Sequence, residues 1–263
     1  MSAHDCTKHP GFRCVDLVLL RIEKDPHLLV IITLIISYAM SAAFGDVSIL
    51  FPYISDLGTL APESCVFGQL LNLCSFLSCL CIYCWYGHHI ERLENMGSAR
   101  SHFIFARVTL AFGLTAGLGL SVVGNFQETS VLTVHLIGAL MTFGFGTLYT
   151  IMINHASRAH FDSPKWLRTL RVSLAVTCSV SFVAMSLFAG LSSKGISLPH
   201  KWEPGDKGYV AHTLSVTCEW LLAVCFLSFF FTMIYDLRDY TMDPIKVRHR
   251  YANLDREVLT ISA

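Results

Sequence analysis

The chain has 263 residues, 53% of them hydrophobic and only 14% charged, with a mean hydropathy of +0.54. Soluble domains carry about a quarter charged residues, so the composition is that of a membrane protein. Nineteen Lys and Arg balance nineteen Asp and Glu, which excludes a bulk electrostatic attraction to nucleic acid, and none of the usual nucleic-acid-binding motifs occurs.

In chain order, residues 1–27 form an N-terminal tail. Its segment FRCVDLVLLRIEK (12–24) mixes apolar residues with both charges, as does a short helix lying on a membrane surface. Six apolar stretches follow, at about 28–48, 65–86, 104–124, 131–153, 168–191 and 209–235. Each matches the ~20 residues needed to cross about 30 Å of hydrocarbon. A backbone in lipid must satisfy its own hydrogen bonds, which makes each stretch a helix. The expected fold is an all-α membrane protein, with six transmembrane helices over 28–235 and a C-terminal tail at 236–263. The first stretch starts behind a charged tail and is long enough to span, so it reads as a signal anchor rather than a cleaved leader. NFQETS (125–130) is short enough to make the third and fourth stretches a helical hairpin. No Asn-x-Ser/Thr glycosylation acceptor occurs.

Of the nineteen Lys and Arg, all but Lys194, Lys201 and Lys207 fall on the side that holds both termini. The positive-inside rule places that side in the cytosol. The segment FPYISDLGTLAPESCVFG (51–68), with no Lys or Arg, then faces the lumen or exterior, together with NFQETS and HKWEPGDKGYVAH (200–212). In the first of these, Asp56 and Gly58 supply turn chemistry. Pro62 suits the first position of a helix, and Glu63 its positive N-terminal end. Pro204-Gly205-Asp206 makes a second turn, flanked by Trp202 and Tyr209, residues typical of the membrane interface.

GLTAGLGLS sets Gly113, Gly117 and Ser121 four apart on the third helix, and Gly138, Gly144 and Gly146 punctuate the fourth. Small residues let helix backbones approach closely in lipid. The pattern predicts tight packing of helices three and four, with a homodimer interface as the alternative. Ionisable residues inside spans are costly and point to function by default. Here they are His135 on helix four, and His212 and Glu219 two turns apart on one face of helix six. All three belong to the outer half, level with Asp46, Glu63, Asn125 and Asp206, so a polar cluster beneath the outer loops is expected. It reads as a hydrogen-bonded structural network, a proton-linked site built on His, or a metal site. No HxxxH or HExxH pair supports a metal, and the CxxC of Cys81 and Cys84 stands alone at a membrane boundary. There is no GxSxG elbow and no Gly-rich phosphate loop. No catalytic residue, metal or cofactor is therefore expected. Cys81 and Cys84 are juxtamembrane and are candidate palmitoylation sites, against the plainer reading of Cys as a small apolar packing residue. Cys65 alone sits near an outer loop, so no disulfide framework is implied.

The combination of three segments is more specific than any turn rule. PYISDLGTLAPESCVFG, GLSVVGNFQETSVLTVHLIGALMTFGFGTLYT and HKWEPGDKGYVAHTLSVTCEW resemble, in order and spacing, the damage-regulated autophagy modulator (DRAM) family of the wider FRAG/DRAM/SFK group of six-span proteins. The resemblance covers about residues 30–240 and is strongest to the lysosomal branch. It implies residence in the lysosomal membrane, with endosome, Golgi and plasma membrane as further locations. It also implies promotion of autophagy, in some members linked to apoptosis, without a catalytic residue. The matching positions are Asp56, Gly58, Pro62, Glu63, Asn125, His135, Trp202, Asp206 and Lys207, carried over as a family signature only.

YANL (Tyr251 to Leu254) on the C-terminal tail has the Tyr-x-x-apolar form of an endolysosomal sorting signal. The functional expectation is a non-enzymatic membrane regulator whose partners are membrane lipids and unidentified cytosolic autophagy or trafficking proteins. The alternatives are a lipid-handling or phosphoinositide-regulating protein, a proton-linked transporter, and, last, a hydrolase.

Overall fold

The computed structural model describes residues 26–48, 52–192 and 202–237. Among these residues there are six long helices and no strand. They are α1 (Pro26–Phe44), α2 (Glu63–Asn95), α3 (Arg100–Asn125), α4 (Leu132–His160), α5 (Lys165–Ser192) and α6 (Tyr209–Leu237). Helices α2 to α6 are each long and apolar enough to cross a membrane. The 12–24 segment and the pair Tyr251 and Leu254 lie outside the described residues.

The helices pack with an outward-facing apolar surface, as lipid solvation requires. Helix α1 buries Thr33, Ser37 and Ser41, one polar residue per turn, and turns Ile35 outward at 62% exposure. Val180 and Leu187 of α5 are equally exposed, at 63% and 62%. Lipid is as apolar as these side chains, so nothing drives them inward, and association rests on close packing and interhelical hydrogen bonds. Thr33 Oγ1 lies 3.7 Å from Cys74 Sγ on α2, and Ser75 Oγ donates to the Gly117 carbonyl on α3 at 2.6 Å.

Helix α2 has 33 residues, about 50 Å of helix, and so runs well past its apolar stretch. It ends in a Schellman turn. Gly97 has φ +60°, its N–H bonds to the Glu94 carbonyl, and the Ser98 N–H bonds to the Leu93 carbonyl. At the other end the helix starts at Glu63 with Pro62 as its N-cap. Pro62 therefore precedes the first helical position rather than filling it.

The expected close packing of α3 on α4 is present, but the stripe of Gly113, Gly117 and Ser121 faces mainly α2. An added Cβ at Gly117 would strike Cys79 of α2, and one at Gly113 would meet Ile82 of α2 as well as Tyr149 of α4. Ser121 donates to Asn72 of α2 at 2.6 Å. Four-residue spacing marks a helix face but not the helix that covers it. The close α3–α4 approach is made instead by Gly119 and Gly138. A Cβ at Gly119 would lie 2.6 Å from Thr142 N and 2.8 Å from the Gly138 carbonyl, both backbone atoms. Gly119→Ala is therefore expected to destabilise the bundle by about 1–3 kcal/mol through overpacking. Gly87→Ala, which meets nothing within 4 Å, should be neutral or slightly stabilising. Thermal unfolding in detergent checks the pair; equal melting temperatures would contradict the crossing.

Helix α4 is not uniform. Leu140–Phe145 is a π-helical stretch between two α-helical parts, a deformation that is frequent at functional sites.

Candidate functional site

The buried acidic, histidine and arginine residues of the bundle gather at its two ends. At the end that holds the 52–62 loop, the chain after α1 makes a short 3-10 turn, Ser55–Gly58. Asp56 organises it by accepting the Tyr53 N–H on Oδ2 at 2.9 Å. Gly58 is buried because Phe67 of α2 occupies the space a side chain would need. Ser41 Oγ of α1 donates to the Leu57 carbonyl at 2.9 Å.

This loop is docked on α6. The Ile54 N–H donates to Glu219 Oε2 at 2.8 Å, and Trp220 Nε1 donates to the Pro52 carbonyl at 2.9 Å. The Tyr53 ring meets His212 edge-on at 5.0 Å, while Trp202 stacks on His212 at 4.4 Å with 14° between the planes. His212 is thus sandwiched between the two end segments, and Glu219 is an anchor for the first of them. Both residues of α6 therefore meet the 53–54 segment, His212 through the Tyr53 ring and Glu219 through the Ile54 backbone N–H.

The other expected members of the cluster are distributed. His135 binds the Phe126 carbonyl through Nδ1 at 2.8 Å and so pins the α3–α4 hairpin to itself. Asn125 exchanges amide hydrogen bonds with Asn72 at 3.2 and 2.7 Å. Asp206 closes its own turn by accepting the Glu203 N–H at 2.8 Å, and Lys207 is exposed. Glu63 is 1% exposed and sits beside Asp46. The result is a set of small polar contacts around one docked loop.

Asp56 lies outside the spans. Burial, followed by repulsion from Glu128, pushes its carboxyl up to about 7, against the lowering effect of the Tyr53 N–H. Glu128 reaches the same loop by accepting from Ser55 Oγ at 3.0 Å. A carboxyl that is harder to ionise when folded stabilises the fold in its protonated form. That contribution is complete below the ordinary carboxylate range and is lost as pH rises towards about 7. Backbone amides of 52–60 are therefore expected to be better protected at pH 5 than at pH 7.5, in hydrogen exchange corrected for intrinsic rates. Asp56→Asn should remove most of the difference; a difference that persists in the variant would contradict it.

The opposite end of the bundle holds a network with no counterpart in the expectations above. Arg171 of α5 is fully buried and pairs with Asp236 of α6 at 2.7 Å. It also donates to Thr232 Oγ1, to the Thr232 carbonyl and to Ser157 Oγ at 2.9, 2.6 and 2.7 Å. Trp85 Nε1 of α2 completes Asp236 at 2.9 Å. Four helices meet on this one ion pair. Beside it, His89 Nε2 lies 3.1 Å from His160 Nδ1, and His160 Nε2 lies 2.8 Å from His102 Nδ1. Among the described residues no group of His, Cys, Asp and Glu is arranged to hold a metal ion. Cys81 and Cys84 are half-buried and pack against the cluster of Trp85, Tyr149 and Phe229.

Between the two ends lies a partly open, mainly apolar cavity of about 160 Å³. Ile54, Ser55, His135 and Glu219 line it at the loop end, and Ile82 and Tyr149 line it nearer the opposite end. The π-helical stretch contributes Thr142 and Phe143.

Residues 27–240 match the family described as the Frag1/DRAM/Sfk1/Cwh43P N-terminal domain. DNA damage-regulated autophagy modulator protein 2 of Bos taurus is 35% identical over 215 residues, 78% of each chain. DNA damage-regulated autophagy modulator protein 1 of Homo sapiens is 36% identical over 212 residues, covering 79% of this chain and 86% of that one. The modulator of macroautophagy TMEM150B-B of Xenopus laevis is 35% identical over 173 residues, 64% of this chain and 71% of its own. No solved structure matches. The chain belongs to the Frag1/DRAM/Sfk1/Cwh43P family, and it is a multi-pass membrane protein.

Proposed function

We propose, from membership of this family, that the protein is a non-enzymatic regulator in the lysosomal and endosomal membrane that promotes autophagy. The observation that carries the reading is the breadth of likeness to relatives named as autophagy modulators, about four-fifths of the chain at about one-third identity. The geometry supports a regulator over an enzyme. His135, His212 and Glu219 are engaged in holding loops. In this reading α1 is a sixth span. Its 19 residues make about 28 Å of helix, close to the hydrocarbon thickness. Both tails are then cytosolic, as the Lys and Arg distribution requires, and the 52–62 loop faces the lumen. An acidic lumen would favour the docked loop through Asp56. A role in apoptosis is an extension of the same reading.

Loss of the protein should reduce autophagic flux in starved cells, read as the marker accumulation that lysosomal inhibition adds; unchanged flux would contradict the proposal. For location, Tyr251→Ala should move the protein to the cell surface, and unaltered lysosomal co-localisation would remove Tyr251 and Leu254 as the signal.

A further inference from the structure

We propose that the start of α3 holds the phosphate head of an anionic phospholipid between Arg100 and Arg107, with the lipid's chains lying along the outward face of the same helix. The inference rests on the chain being a membrane protein and not on the autophagy reading.

The turn after α2 and the first two turns of α3 form an open pocket of about 440 Å³, lined by Ser98, Arg100, Phe103, Ile104 and Arg107. The last four are three, four and seven residues from the first of them, which puts them on one helix face. Both arginines are exposed, and among the described residues neither has an ion pair or a side-chain hydrogen bond. A guanidinium is always protonated in proteins, so the sign of the pocket does not change with pH.

The local electrostatics are unbalanced. A helix start carries a partial positive charge and favours Asp or Glu, yet α3 has no acidic residue in its first turn and begins with Arg100. Its N-cap is Ala99, which has no side-chain oxygen to offer the first-turn N–H groups. Two guanidiniums and an uncapped helix start thus share one pocket, without an acidic partner among the described residues. A phosphate supplies the missing charge together with several acceptor oxygens, and it takes the guanidinium fork in bidentate fashion.

Arg107 selects a lipid over a free anion. It lies one turn inside the apolar stretch that begins near residue 104, on the side of α3 that turns Ile104, Val108 and Leu118 outward. An arginine there draws its charged head towards the membrane surface. Helical side chains lean towards the N-terminus, and Arg107 lines the pocket together with Arg100. Lipid phosphates stand at that level, and the outward apolar face continues from there along the acyl chains. A choline or ethanolamine head would bring an ammonium to two guanidiniums, so a head that ends in phosphate is favoured.

The test titrates the full chain in detergent with phosphatidic acid or phosphatidylcholine of equal chain length and reads the lipid-bound states by native mass spectrometry. One phosphatidic acid should bind ahead of any further copies, about ten-fold tighter than phosphatidylcholine, the factor for one more charge-assisted contact. Arg100→Gln combined with Arg107→Gln should weaken that first binding by about thirty-fold and erase the preference over phosphatidylcholine. Arg158→Gln combined with Lys165→Gln removes the same charge from exposed positions outside the pocket and should bind as the wild type does. All proteins are compared as monodisperse, folded samples, and millimolar inorganic phosphate should leave the bound lipid in place. Equal weakening in the two double variants would show diffuse attraction, and displacement by inorganic phosphate would show a free-anion site. Either result, or equal affinity for the two lipids, would overturn the proposal.

Discussion

Arg171→Ala is expected to lower the stability of the bundle by about 3–5 kcal/mol, the cost of leaving one member of a buried ion pair without its partner. Among the described residues, the carboxylate of Asp236, 5% exposed on its side chain, would keep only the Trp85 N–H. Thr232 and Ser157 would lose the donor that links α4, α5 and α6. An apolar pair of similar volume avoids the uncompensated charge. Arg171→Met combined with Asp236→Leu should therefore be more stable than either single substitution, a coupling read directly from a double-mutant cycle. Trp85 sets a limit on the recovery, because its indole N–H then lacks an acceptor, a cost of about 1–3 kcal/mol. Unfolding in mixed micelles measures the four proteins of the cycle and Arg171→Ala. A loss below about 1 kcal/mol in Arg171→Ala, the size of a surface pair, would contradict the burial of the pair.

Glu219→Ala is the second large effect and acts at the other end. It removes the acceptor of the Ile54 N–H. A buried donor left unsatisfied costs about 1–3 kcal/mol, concentrated here on the docking of one loop rather than on the bundle. Hydrogen exchange at 52–60 should rise while α2 and α6 stay protected. Glu219→Gln, which retains an acceptor, should remain close to the wild type. If exchange at 52–60 is the same in Glu219→Ala as in the wild type, the loop is held by other contacts, of which Trp220 to Pro52 is the first candidate.

These two sites also show where the sequence is readable. Apolar stretches of about twenty residues announce helices because a lipid-exposed backbone has no alternative, and α2 to α6 follow from that rule. His212 and Glu219 are legible as a pair from their spacing alone, since seven residues put them on one face. What they touch is not legible, because Tyr53 and Ile54 come from a loop more than 150 residues away in sequence. Arg171 and Asp236 stand near the ends of their apolar stretches and read as ordinary flanking charges. Only the lateral packing of α5 on α6 turns them inward. The imidazole chain of His89, His160 and His102 joins residues 71 and 58 apart, with no motif spacing to reveal it. Gly119 is hidden by its neighbours: the regular stripe at Gly113 and Gly117 reads as the face towards α4 but lies mainly against α2, and the close α3–α4 contact at Gly119 falls outside that period. The π-helical stretch leaves no compositional trace.

In the proposed function this family member promotes autophagy, and the form in which it does so has the 52–60 loop docked on α6. Autophagic flux in starved cells lacking the protein, restored with variants at equal membrane levels, addresses it most directly. Wild type and Glu219→Gln should restore flux, and Glu219→Ala should restore much less. Full restoration by Glu219→Ala, in protein whose 52–60 loop has been shown to be undocked, would contradict the account.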